Sequence, residues 1–369
     1  MSKGDGLRTL SSDQPLLAKS LHGVTIRIMT PPEVILDRCV RTLLRHKDYV
    51  GKLVVEQVES ASFRSFLSLI QETMNEALRL EGINASGGVE HPPFHFDYLE
   101  VTRGIRNAHA FQYGGFSFIA VTLPLVELLW NISERLSRSP VVLQLLRLDS
   151  EESDVDALHG LLFRLQLVFL VSHEYTHHVH RHCVETGEYG IGVWTEFLQD
   201  AMGGNLNCQA QEIDADGYAA YLVLAHLLGG EGRQIALSQM NRVEITGDDA
   251  DALLLASFFL AVMAFFCALW DERINMASVY QSRHPPPPVR IKYVIQIVEM
   301  WCGQNATTPL TSAQLQSVFH AAAETIGRTA KQAWDIHMAF LRSADGAQYD
   351  QQLFAEFEGQ RQSGPSNAA

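Results

Sequence analysis

His173-Glu174-Tyr175-Thr176-His177 is the stretch that decides how this chain is read. Two histidines spaced i and i+4 share one face of a helix, so both imidazoles can reach a single metal ion. Glu174, beside the first, stands next to any water held there. The residues ahead of the motif set its surroundings. Leu161-Leu162-Phe163-Arg164-Leu165-Gln166-Leu167-Val168-Phe169-Leu170-Val171 is apolar nearly all round, the pattern of a helix buried in the middle of a domain. A histidine pair at the end of such a helix is desolvated and needs partners.

Candidate partners follow in Gln211-Glu212-Ile213-Asp214-Ala215-Asp216-Gly217-Tyr218-Ala219-Ala220-Tyr221-Leu222, a second helical stretch stopped by Gly229-Gly230. Glu212 and Asp216 again lie one turn apart on one face. Two imidazoles and one carboxylate, with a position left for water, are the donor set of a catalytic Zn²⁺. A further carboxylate one turn on can accept the second N–H of a ligand imidazole and fix its tautomer. The spacing therefore predicts one zinc per chain on His173, His177 and Glu212, with Asp216 behind His173 and Glu174 as general base.

These residues resemble the gluzincin peptidases, in particular the branch of HtpX-type heat-shock peptidases and CaaX prenyl endopeptidases, in which HExxH is followed by ExxAD. Glu212-Ile213-Asp214-Ala215-Asp216 fits that second motif at every defined position. Asn107-Ala108-His109-Ala110-Phe111 and Phe118-Ile119-Ala120-Val121-Thr122 look like the branch's Asn-Ala-Phe segment and the edge strand beside its active-site helix. Ser282-Arg283-His284-Pro285, with Arg290-Ile291 after it, is similar to its late His-Pro-x₄-Arg-Ile element. The resemblance covers residues 100–292. It implies a zincin-like α+β domain, mostly helical, with a small antiparallel sheet and a central HExxH helix. It further implies a zinc-dependent endopeptidase acting on a protein or peptide substrate.

In that scheme Glu174 and His284 serve catalysis, and Arg290 is an ion-pair partner or substrate contact. Asn107, Ala108, Phe118 and Ala120 line the strand edge that substrate backbone joins. The longer HExxHxxGxxH form is excluded, because His180 and Cys183 occupy its glycine and last histidine positions. Most members of the branch carry membrane spans, often between the zinc motifs. Here only Cys183 to Gly204 separates them, which implies a soluble relative similar to the Lit phage-exclusion peptidases. Two other readings stand beside this one: a degenerate scaffold that keeps zinc and binds a partner, and a membrane-embedded processing peptidase.

Composition sets outer bounds. With 369 residues, 47% hydrophobic and 19% charged, the chain has an ordinary globular make-up and enough length to bury a core. A net charge of −14 argues against nucleic acid or an anionic membrane as partner, since both reward clustered Lys and Arg. Five scattered cysteines form no disulfide framework, and the N-terminus shows no secretory h-region, so the expected compartment is the cytoplasm. One segment opposes the soluble reading: Ala252 to Trp270 is long and apolar enough for a span. Its acidic flanks lack the Lys/Arg bias of an anchor, and one crossing would part His284 and Arg290 from the zinc ligands, so a buried helix is expected.

The remaining chain organises coarsely. Residues 1–95 read as a mainly helical N-terminal region, 96–300 as the catalytic domain, 301–358 as C-terminal helices and 359–369 as a disordered tail. Amphipathic helices are expected over 31–82, a loop from Asn84 to Pro93, and strands at Tyr98–Thr102 and Phe116–Thr122 with a Tyr113-Gly114-Gly115 turn. His178, His180 and His182 read as polar-face residues or as supports behind the ligands rather than as ligands, Cys183 and Cys208 as free thiols, and Asp214 as solvated. Neither oligomeric state nor substrate identity has a readable code.

Overall fold

The computed structural model describes residues 20–21, 24–25, 30–44, 48–84, 92–102, 104–182, 184–186, 191–193, 205–269, 274, 276–304 and 310–363. It is mostly helical, with a small mixed sheet. Ahead of the sheet, the short strands β1 (Ser20–Leu21) and β2 (Val24–Thr25) pair with each other, and α1 (Pro32–Cys39) runs into a π-turn over Val40–Leu44. The sheet has four strands of four to eight residues, β3 (Tyr49–Lys52), β4 (Phe94–Val101), β5 (Ala108–Tyr113) and β6 (Phe116–Thr122). The three-residue strands β7 (Val184–Thr186) and β8 (Ile191–Val193) extend it. The spatial order is β3-β4-β6-β5-β8-β7.

Four expectations are corrected here. The sheet is mixed, because β4 and β6 run parallel. The Gly114-Gly115 turn, with φ of +58° and +85°, closes a tight β5–β6 hairpin, as both positions of such a turn require. That hairpin lies with β6 inward, slotted beside β4, and every residue of β6 is buried. Seven buried residues in a row read as an interior strand, so Phe118 and Ala120 do not lie at a sheet edge. Within 31–82, β3 interrupts the helices and joins the sheet. At the other end, α13 (Ala344–Ser363) carries helix through Gly359–Ser363, where a disordered tail was expected; residues 364–369 lie outside the described residues.

The helical layer is built on α5 (Glu152–Val179), whose buried residues face every direction. Around it pack α3 (Leu123–Ser137), α6 (Leu206–Leu228) and α8 (Gly247–Leu269). Gln166, in the middle of α5, pins this arrangement. Its Nε2 donates to Ala261 O of α8 at 3.1 Å and its Oε1 accepts from Ser133 Oγ of α3 at 3.1 Å. Buried amides so satisfied fix the register of neighbouring helices. By length and composition both α5 and α8 could cross a membrane, but in this fold 61% and 83% of their most apolar windows are buried. The segment that raised the membrane question is α8, buried from Leu253 to Cys267 in this fold, and Trp270 lies outside the described residues.

The rest of the helices close around this core: α2 (Ala61–Asn84), α4 (Pro140–Leu145), α7 (Gly230–Gln239), α9 (Met276–Val279), α10 (Pro287–Gln304), α11 (Ser312–Thr329) and α12 (Lys331–Leu341). One apolar cluster runs from Leu53 to Ile326, across both the 95/96 and the 300/301 boundary. Gly217 lets α10 approach α6, since a Cβ there would lie 3.3 Å from Ile297 Cγ1. That approach brings Arg290 of α10 onto the acidic face of α6.

Candidate metal centre

The last two turns of α5 and the second turn of α6 meet face to face. His173, His177 and Glu212 are all buried. His173 Nε2 is 3.1 Å from His177 Nε2 and 3.2 Å from Glu212 Oε2, and His177 Nε2 is 3.5 Å from Glu212 Oε1. Metal–ligand bonds of 2.0–2.1 Å in tetrahedral geometry place neighbouring donors about 3.3 Å apart, so this triangle has the right size for one ion. The three residues could hold a metal ion.

Each donor is braced from behind. His173 Nδ1 meets Asp216 Oδ1 at 2.9 Å, which fixes Nδ1 as the protonated nitrogen and leaves Nε2 for a ligand role. Arg290 holds Asp216 in turn with a two-pronged contact, Nε to Oδ2 at 2.6 Å and Nη2 to Oδ1 at 2.7 Å. Its guanidinium lies 4.7 Å over the Phe266 ring of α8, tying the charge network to the core. His284 Nδ1 meets Glu212 Oε2 at 2.8 Å and so braces that carboxylate.

His177 is held through Nδ1, 3.0 Å from Nδ1 of His182. The end of α5 explains this contact. Arg181 takes a left-handed φ of 59°, His182 N donates to His177 O at 2.9 Å and Arg181 N to His178 O at 3.1 Å. These are the two bonds of a Schellman stop, here with arginine where glycine is usual, at about 1–2 kcal/mol of local strain. The stop folds His182 back over His177. His178 points the other way and meets Phe118 O at 2.9 Å, anchoring the ligand turn to the interior strand.

Electrostatics follow from this burial. Burial opposes charge on metal-free His173, but Glu212 and Asp216 outweigh it and lift its pKa to about 10. Burial also works against the Glu212 carboxylate, yet His284 and His173 hold it well below the usual carboxylate range. Asp216 is lowered in the same way by Arg290, and Asp214 by His180 and His182, each against the cost of burial. Asp214 is therefore drawn to the histidine cluster rather than simply solvated. Burial pushes the Cys208 thiol up, as befits a free thiol, and Cys183 lies outside the described residues.

A cleft of about 270 Å³ opens beside the triangle. Its lining includes Glu174, His173 and His284, Ala108 of β5 with Asn107 ahead of it, and Phe169 and Phe265 from the core. β5 pairs with β8 only at Phe111 and Gln112, so among the described residues its first half, not β6, presents the open edge. Gln209, one turn before Glu212, had no signal in the sequence. Its Nε2 donates to Val279 O and Ser282 O at 2.7 and 2.6 Å, and its Oε1 accepts from Tyr349 OH at 2.6 Å, which fixes the turn carrying His284. Searches of family models, curated proteins and solved structures return no match to this chain.

Proposed function

We propose that the chain is a zinc-dependent endopeptidase of the reducing cell interior, hydrolysing peptide bonds in a protein or peptide substrate. The observation that carries this reading is Glu174, a buried carboxylate on the wall of a cleft that also reaches His173 and His284. Two imidazoles and a carboxylate suit zinc, and bound zinc would supply Lewis acidity toward a carbonyl and a water.

The other tasks fall to side chains. Glu174 accepts the proton of the attacking water and returns it to the leaving amine, as a general base does. Asp216 and His182 keep the protons of His173 and His177 on Nδ1, and Arg290 holds Asp216 in place. His284 braces Glu212 and lines the cleft, the place from which it would stabilise negative charge on the substrate carbonyl. Residues 108–110 of β5, with Asn107 ahead of them, offer backbone groups to which an extended substrate adds as a strand.

Glu174→Gln tests the reading. It keeps size and hydrogen bonding but cannot take a proton, so metal content and fold should persist while hydrolysis falls by about 10²- to 10⁴-fold. New N-termini across a proteome, compared between cells expressing wild type and Glu174→Gln, supply substrates for the assay. A scaffold that only binds has no use for this carboxylate, so full activity in Glu174→Gln, or no cleavage by the wild type, ends the peptidase reading.

A further inference from the structure

Beside the first triangle lies a second donor set. His180, His182 and Asp214 each offer an atom within 4.8 Å of the others. His182 Nε2 is 3.3 Å from Asp214 Oδ2, and His180 Nδ1 shares the same oxygen. Unlike the first triangle this one is open to solvent. The His180 and Asp214 side chains are 33% and 27% exposed and border a groove of about 420 Å³ on the far side of α6. The donors come from three positions fixed by backbone: the α5 stop for both histidines and α6 for the carboxylate. An entry path and preset donors are what a metal site needs.

The two clusters share a hydrogen bond, and its proton count couples them. When His177 gives Nε2 to a metal, its proton sits on Nδ1 and points at His182 Nδ1, 3.0 Å away. His182 must then accept there and carry its own proton on Nε2, toward Asp214. A cation arriving at His182 Nε2 drives that proton to Nδ1, with no net release, and two N–H groups then face each other.

We propose that His180, His182 and Asp214 form a second site for a borderline divalent cation of the Zn²⁺ type, and that its filling opposes filling of the first. Two imidazoles and a carboxylate favour such ions over Mg²⁺ or Ca²⁺. The opposition is reciprocal, as any coupling between two binding sites is. Zinc excess then weakens the first site by about 10- to 100-fold, the usual effect of losing the hydrogen bond behind a ligand imidazole. The antagonism rests on the first triangle binding metal; the existence of the second site does not.

The test is titration of the metal-stripped full chain with Co²⁺, followed by its d–d absorption, and with Zn²⁺ by calorimetry. Wild type should take up two equivalents, the second about 10- to 100-fold weaker than the single equivalent left in His177→Ala, where the opposing N–H is gone. His180→Ala keeps the His177–His182–Asp214 chain and should take up one. Asp214→Asn gives the same count while its amide oxygen still accepts from His182, and serves if His180→Ala fails to fold. One equivalent in wild type, or two in either folded variant, overturns the second site. Equal affinity of the second equivalent in wild type and in His177→Ala overturns the antagonism. A wild-type count retained in a His173→Ala, His177→Ala double variant instead counts against the first site alone.

Discussion

Asp216→Asn removes one negative charge from a position with no solvent exposure. In the wild type Oδ1 accepts from His173 Nδ1 at 2.9 Å and from Arg290 Nη2 at 2.7 Å, while Oδ2 accepts from Arg290 Nε at 2.6 Å. The amide keeps one acceptor and turns an NH₂ toward a histidine or a guanidinium, both donors. The nearest other carboxylate to Arg290 is Glu212, at 3.7 Å. Leaving a buried charge without its partner costs about 3–5 kcal/mol. With an unfolding entropy of about 2.1 cal/mol/K per residue over 369 residues, that is a fall in melting temperature of about 4–6 °C. Zinc affinity should drop separately, by about 10- to 100-fold, because His173 loses the group that fixes its tautomer. Scanning fluorimetry in excess chelator isolates the first effect, and competition against a chromophoric chelator isolates the second. Asp216→Asn combined with Arg290→Met leaves no guanidinium stranded without the carboxylate that held it and should recover most of the stability but not the affinity. A metal-free Asp216→Asn melting within 1 °C of wild type would refute the charge argument, as defined by the about 4–6 °C worked above. An unchanged zinc affinity would refute the tautomer argument.

Further outcomes follow from the same geometry. The purified protein should carry about one tightly held Zn²⁺ per chain, and a His173→Ala, His177→Ala variant loaded with zinc should hold one equivalent fewer than wild type by metal analysis. Chelation should lower the melting temperature, because emptying the site leaves buried polar groups poorly paired at a cost on the order of a few kcal/mol; an unmoved melting curve with zinc loss confirmed speaks against a buried site. Zinc uptake at neutral pH should release about one proton, since metal-free His173 titrates near about 10 and must lose its proton to bind; calorimetry in two buffers of different ionisation enthalpy reads the count, and zero overturns it. The sign for stability is fixed by the same shift. The pKa is raised from the ordinary 6.5, so in metal-free protein its contribution is complete below about pH 6.5 and is lost as pH rises through about 10.

Much of the site is legible in the sequence, and the reason is periodicity. His173 with His177, and Glu212 with Asp216, show their common faces through spacing alone, and the all-round apolar run before His173 marks α5 as central. Gly114-Gly115 likewise announced its hairpin. What escaped was order and direction. Alternation identifies a strand but not its neighbours, so β6 was placed at an edge that the β5–β6 hairpin turns inward. Tyr49–Lys52 is too short to show alternation and is hidden between helical patterns. Arg290 was visible, but its two-pronged hold on Asp216 depends on α10 lying against Gly217. The fold-back of His182 depends on a left-handed Arg181, which side-chain chemistry does not announce, and a lone glutamine such as Gln209 carries no pattern at all.

The packing of α5 has a consequence for how metal and protein exchange with their surroundings. Its ligand turns are continuous with a helix that the core surrounds, so amide hydrogens around His173 and His177 should exchange only through openings near the global unfolding free energy. Metal has a shorter way out, because His173 and Glu174 line a cleft and its release breaks bonds to side chains only. Isotope-labelled zinc should therefore swap with free zinc many times during the lifetime of a single protected amide, and the centre would be permanent in its frame but renewable in its ion.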